Sequence, residues 1–185
     1  SSAASDVYKR QGVYYTPVEI VEAQVRLLDT VLKTRFGRPD GLGDDNTKLL
    51  DNACGTATYP LAVARHVIDN SAAPQDAARS LAKRLHAFEI LMGPYSVAHM
   101  RLTQLLESTG IQLGKEGVQV FLTNSLTDPG EVSADHQQIS LWEVMEDINE
   151  ENRRAGLVKD SHTDIRIILG NPPYNRPVSY THLTL

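Results

Sequence analysis

The sequence predicts an α/β protein: a largely parallel sheet with helices on both faces. Three observations lead there. Short apolar runs recur at 48–51, 85–90, 118–122 and 165–169, lengths that suit buried strands. Longer stretches with helical spacing of apolar residues lie between them. Residue types capable of chemistry follow directly after strand runs, and open parallel sheets bind ligands at those carboxyl ends.

Each element has a local reason. Thr16-Pro17-Val18-Glu19 predicts a helix start, with Thr16 as cap, Pro17 at the first helical position and Glu19 closing a capping box. Ile20, Leu27, Leu28, Val31 and Leu32 supply that helix's apolar stripe, and Gly37 its stop. A loop over 38–46, broken by proline and glycine, leads into the first strand, 48–51. A turn of small residues, 52–57, opens a helix over about 58–69, with Pro60 tolerated in its first turn. Another helix over 76–85 runs into the second strand, 85–90. A helix over 94–108 ends before Gly110, and 118–122 is the third strand. Residues 127–161 are polar, with an exposed helix expected at 139–154. The run 165–169 is a buried strand ending at Gly170.

The bulk properties exclude several classes. A chain of 185 residues can bury the core of one domain. No apolar run approaches the roughly 18 to 20 residues of a membrane span, and no signal-peptide core stands at the start. The single cysteine, Cys54, excludes an internal disulfide and fits a reducing cytoplasm. Six histidines show no metal-ligand spacing, so no metal is expected. The net charge of −5 argues against a surface that coats nucleic acid, while leaving room for a basic DNA-gripping surface in another segment. Residues 1–11 and 178–185 lack periodicity and resemble translated sequencing-adapter read-through. They are expected to be non-native tails around a natural part of 12–177.

Three constellations carry the chemistry. In Asp51-Asn52-Ala53-Cys54-Gly55-Thr56-Ala57, small residues between strand and helix let a ligand approach the backbone and meet its amides. Alone, such a turn is as often packing, and Cys54 reads as a small buried residue rather than a nucleophile. Glu89 closes the second strand and could take two ribose hydroxyls, the competing reading being a solvated surface glutamate. It stands 38 residues after Asp51, farther than the roughly 20 of a dinucleotide-binding unit, and the additional helix accounts for the excess. Asn171-Pro172-Pro173-Tyr174 is far more specific. Each proline fixes its own φ and restricts its predecessor, so the loop is rigid. It can aim the Asn171 side-chain oxygen and the Pro172 carbonyl at one point, beside an aromatic face. Two such acceptors suit a poorly nucleophilic exocyclic amine as charge develops on its nitrogen. Tyr174 could stack on a base drawn out of a duplex. A Pro-Pro surface turn is the bland alternative, and no PxxP pattern supports a ligand for proline-recognising modules.

At these residues the chain resembles the S-adenosylmethionine-dependent DNA adenine-N6 methyltransferases of restriction-modification systems that share an Asn-Pro-Pro-Tyr loop. It is most similar to the methylase region of large single-chain enzymes that also carry nuclease and helicase parts. The resemblance covers about 12–175 and implies a Rossmann-like methyltransferase fold, truncated here after its fourth strand. Gly12-Val13-Tyr14-Tyr15-Thr16-Pro17 looks like the family's N-terminal motif, which implies that Tyr15 and Thr16 lie beside the methionine end of the cofactor. Asp51, Ala53, Cys54, Gly55 and Thr56 fall in the family's cofactor turn, with Asn52 in place of its proline and Ala57 in place of its second glycine. Phe88-Glu89-Ile90 implies that Glu89 binds the ribose, and Asn124 stands where the family contacts the cofactor adenine. The catalytic residues implied are Asn171, Pro172, Pro173 and Tyr174. The resemblance also implies double-stranded DNA with a flipped adenine as partner, further strands after the loop, and a target-recognition domain. A protein-glutamine or RNA methyltransferase, or a non-catalytic cofactor-binding fragment, are the competing readings.

Overall fold

The computed structural model describes residues 16–126, 151, 153–160 and 165–172. Its centre is a four-stranded, all-parallel sheet in the order β3-β2-β1-β4. In chain order the elements are α1 (Val18–Arg35), a short 3-10 helix (Gly41–Gly43), β1 (Lys48–Asp51), α2 (Thr58–Asp69), α3 (Pro74–Arg84), β2 (Leu85–Glu89), α4 (Met92–Glu107), β3 (Gln119–Leu122) and β4 (Ile165–Ile168). Residues 151 and 153–159 are helical as well. The α/β fold and the four strands expected from sequence are therefore present, with ends that differ by a residue or two.

The alternation of side chains across the pleat divides the core in two. Leu49, Leu85, Ala87, Val120 and Ile167 pack with buried residues of α1 to α4. On the other side Phe88 and Phe121 meet edge to face and pack with Ala155, Val158, Leu50 and Ile165. Helices thus cover both faces. Of the exposed helix expected over 139–154, residues 151, 153 and 154 are described and are helical, half-buried or exposed; its expected end is corrected, because helical residues run on to 159, where Ala155 and Val158 are buried against the sheet. Residues 139–150 and 152 lie outside the described residues.

Three further expectations are corrected. Pro17 is itself the residue preceding the first helical turn, with extended backbone (φ −54, ψ 140), and no side chain caps the helix. Its carbonyl accepts the N–H groups of Ile20 and Val21, so the Thr16–Glu19 capping box does not form. The buried face of α1 is Val21, Val25, Asp29 and Leu32, whereas Ile20 and Leu27 are 51% and 64% exposed. Apolar residues on α1 occupy two faces, and spacing alone does not say which one meets the sheet layer. Finally, β4 is not fully buried. It is an edge strand here, with Ile167 inside and Ile168 65% exposed.

Loops are tied to this frame by buried polar groups. Asp29 accepts the Leu42 N–H at 2.8 Å and pairs with Lys33 and His66, joining α1 to the 3-10 helix and α2. A β-carbon at Gly41 would strike the same carboxylate, and its φ of +57 also favours glycine. Arg84 is buried at the end of α3, where it donates to the carbonyls of Thr47 (3.0 Å) and Leu42 (2.8 Å) and to Ser80 Oγ (2.8 Å). No described helix is long and apolar enough to cross a membrane.

Candidate active site at the strand order reversal

The chain runs outward from β1 to β2 to β3, then returns to place β4 on the other side of β1. Neighbouring connections therefore leave β1 and β4 in opposite directions, so the strand order reverses between their carboxyl ends, the place where such sheets form a ligand crevice. Parallel sheets bind ligands at this kind of reversal. The turn 52–57 follows β1, and Gly170-Asn171-Pro172 follows β4. Parallel pairing carries both to the same rim, with Leu50 opposite Ile168 and the Leu169 N–H bonded to the Leu50 carbonyl at 3.0 Å.

The turn is held by its neighbours. Asp51 Oδ1 accepts the Ala53 N–H at 3.1 Å, and the Cys54 N–H reaches the Phe88 carbonyl at 2.9 Å. Gly55 has φ +55 and open space where a β-carbon would stand, which suits close approach by a ligand. Ala57 adopts the same left-handed conformation (φ 67) and is wholly buried. Its methyl therefore faces the core and offers no surface to a ligand. Burial, with Asp51 and Glu89 nearby, pushes the Cys54 thiol well up, so it is no thiolate at neutral pH.

Glu89 is buried, not a solvated surface residue. Its Oε2 accepts the Gly55 N–H at 2.9 Å, and its Oε1 accepts those of Ile90 (2.9 Å) and Leu91 (2.8 Å). It thus ties the end of β2 to the small-residue turn. Asp51 is 3% exposed, and its Oδ2 has no hydrogen-bond partner among the described residues. Burial, reinforced by the Glu89 charge and opposed by the Ala53 N–H, raises its carboxyl to about 7. On the far side of Asp51 lies Gly170. A side-chain carbon there would run into the Asp51 carboxylate, so the glycine lets the two loops meet.

The remaining predicted residues distribute as follows. Asn124 is half-buried after β3. Its side-chain oxygen accepts the Leu126 N–H at 3.0 Å, and its carbonyl accepts from Lys159 Nζ at 2.6 Å. Asn171 is half-buried and Pro172 exposed at the rim, while Thr16 is half-buried ahead of α1. Tyr15, Pro173, Tyr174 and the tails 1–11 and 178–185 lie outside the described residues. Among the described residues no group of three or more His, Cys, Asp or Glu could hold a metal ion.

Three contributors were not foreseen from sequence. Arg101 of α4 donates to the Thr56 carbonyl at 2.7 Å and anchors the turn from outside. Lys159 bonds Thr123 Oγ1 at 3.0 Å as well as the Asn124 carbonyl, fixing the loop after β3. Neither carries a local sequence signal, because each acts across 35 residues or more. Ile90, directly after Glu89, is 61% exposed and offers an apolar face at the carboxyl end of β2. An apolar residue directly after an acidic strand end was the available signal. A separate cleft of about 350 Å³ lies between α1 and α2, lined in part by Glu22, Arg26, Thr58, Arg65 and Arg101. It adjoins the turn from behind and does not include the strand ends.

This sheet and crevice define a Rossmann-like methyltransferase fold. The chain belongs to the N-6 DNA methylase family, whose model matches residues 1–183. Among solved structures it is similar to the DrdV–DNA complex, at 25% identity and a TM-score of 0.65, over 91% of this chain and 15% of that one. It is also similar to the ATP-dependent Type ISP restriction-modification enzyme LlaBIII bound to DNA, at 24% identity and TM-score 0.65, over 89% of this chain and 10% of the other. A nuclease-deletion mutant of the Type ISP enzyme LlaGI with a DNA substrate mimic matches at 23% identity and TM-score 0.65, over 94% and 14%. The chain thus spans only 10 to 15% of the length of these proteins. No match was found among curated proteins.

Proposed function

We propose that the chain is the cofactor-binding and catalytic-loop part of an enzyme that methylates the N6 amino group of adenine in duplex DNA, within a restriction-modification system. The observation that carries this is the meeting of the Asp51–Thr56 turn and the Gly170-Asn171-Pro172 loop at the crevice between β1 and β4. Membership of the N-6 DNA methylase family supports the chemistry, and the DNA complexes of DrdV and the Type ISP enzymes support the setting.

The residues fit S-adenosylmethionine, which when bound supplies an electrophilic methyl group. An open left-handed glycine, a buried carboxyl oxygen without a partner among the described residues and an exposed isoleucine are the features such a ligand would use. Glu89 Oε1 already takes two N–H bonds and Oε2 one, so Oε2 keeps a lone pair for a ribose hydroxyl. Ile90 would lie against the adenine, with Asn124 at its edge. Thr16 and Tyr15 would sit beside the methionine end. On the other side of the crevice, the Asn171 side-chain oxygen and Pro172 carbonyl would accept the two hydrogens of the target amine. They would stabilise the positive charge that grows on its nitrogen. Pro173 would stiffen that loop, and Tyr174 would stack on the extruded base. Holding donor and amine in one crevice is the larger part of the catalysis.

The test uses the complete enzyme that contains this segment. It is incubated with methyl-labelled S-adenosylmethionine and duplex DNA, tRNA or release-factor protein, and the products are digested. Label in N6-methyladenine from DNA is expected, and Asn171→Ala should lower its rate by roughly 10² to 10³. Label confined to RNA or to protein glutamine would refute the proposal.

A further inference from the structure

Two buried carboxyls close β1 and β2 with unequal provision. Glu89 accepts three backbone N–H groups, whereas Asp51 accepts one, from Ala53. Asp51 Oδ2 is buried with no partner among the described residues, and the Gly170 backbone closes off the side toward β4. Among the described residues, the groups that face Asp51 offer it no positive charge. The turn brings Cys54 and β2 brings Glu89, whose charge opposes ionisation. From α2, Tyr59 lines a small void beside Asp51, but its hydroxyl is engaged with Gln24 at 2.7 Å. A buried carboxylate so placed is costly, and the cheaper state carries a proton.

Resting on the cofactor reading above, we propose that Asp51 is a charge-reading residue: it holds a proton before the cofactor binds and releases it when the cationic end of the cofactor arrives. The balance is simple. The Asp51 O–H bond breaks, its electron pair stays on the carboxylate opposite the incoming cation, and the proton passes to solvent. No redox partner is needed. The consequence is selectivity for a positively charged ligand over a neutral nucleoside, and binding that tightens as pH rises toward neutrality. The raised carboxyl of Asp51, near 7, places the transition within the physiological range.

Titration calorimetry of the full 185-residue chain with S-adenosylhomocysteine, which keeps the cationic amino group and does not react, decides the matter. At about pH 6, buffers of low and high ionisation enthalpy should report release of close to one proton per ligand bound. The Kd should tighten by up to about tenfold per pH unit and level off above about pH 7. Asp51→Asn should release none and give a flat profile. Binding by the natural chain without proton release, or unchanged release by Asp51→Asn, would overturn the inference while leaving the cofactor site standing. Should Asp51→Asn not fold, the natural chain's profile decides: a break near pH 7 sustains the inference and a flat line overturns it. Absence of any binding at every pH overturns the cofactor reading itself.

Discussion

Ala57 stands where the resemblance read from the sequence implies a glycine, and the structure converts that departure into a quantitative expectation. Its φ of 67 costs an L-residue roughly 1–2 kcal/mol, which Ala57→Gly would recover. Two terms oppose the gain. The methyl is wholly buried, and losing it costs about 0.8 kcal/mol. Glycine also frees the unfolded chain, costing about 0.4–1 kcal/mol more. The terms nearly cancel, so Ala57→Gly should alter stability by no more than about 1 kcal/mol. Ala57→Val keeps the strained backbone, adds a branch at Cβ and overfills the core, for a loss of about 3 kcal/mol. Urea unfolding followed by circular dichroism measures both. Because Ala57 exposes no surface to the crevice, its replacement by glycine should leave S-adenosylhomocysteine affinity within about twofold, a change of only ~0.4 kcal/mol. Tenfold tighter binding by Ala57→Gly, or a tolerated valine, would refute this account.

Other outcomes are equally specific. Glu89→Gln removes the charge that accepts three backbone N–H groups and turns a donor toward at least one of them. It should cost about 1–3 kcal/mol of stability and weaken cofactor binding at least about tenfold, both visible in one ligand-shifted thermal melt. Arg84→Met leaves the Leu42 and Thr47 carbonyls without their guanidinium and should cost about 2–4 kcal/mol in urea unfolding; a neutral result would mean that water replaces it. His86 is buried, and burial, with Lys48 adding to it, lowers its imidazole to about 4. Between its ordinary 6.5 and 4 the unfolded chain binds the extra proton, so His86 removes stability as pH falls, up to about 3 kcal/mol. Asp51 acts oppositely: its raised carboxyl binds more proton in the folded state between 3.8 and about 7, adding stability as pH falls. The two nearly cancel from about pH 6.5 to 4, while Asp29 and Asp44, held below 3.8, act in more acid solution. His86→Leu should therefore grow more stable on acidification through that window where the natural chain stays level. Parallel pH curves would refute it.

Much of the site was legible as sequence because its signals are local. A strand run followed by Asp51-Asn52-Ala53-Cys54-Gly55-Thr56, an acid closing Leu85–Glu89, and Gly170-Asn171-Pro172 after Ile165–Ile168 each need only a few adjacent residues. Backbone restriction by proline and freedom by glycine act at the same range. The family followed from these motifs, and α2 and β1 were bounded to the residue.

What tertiary structure alone decided concerns faces, partners and charge. Ile20 and Val21 are neighbours with the same hydropathy, yet one is half exposed and the other buried, because α1 is apolar on two sides and only its packing partner selects between them. Glu89 was expected to await a ribose; what the fold shows is that it fastens Gly55, 34 residues away, to the end of β2. Gly170 is explained by a carboxylate from another strand, and Asp51 by the donors it lacks. Covalent neighbours set the backbone's options, whereas a carboxyl's proton depends on burial and on charges brought close by strand pairing. The motif residues were written along the chain, and the division of labour between Asp51 and Glu89 exists only once β1, β2 and β4 lie side by side.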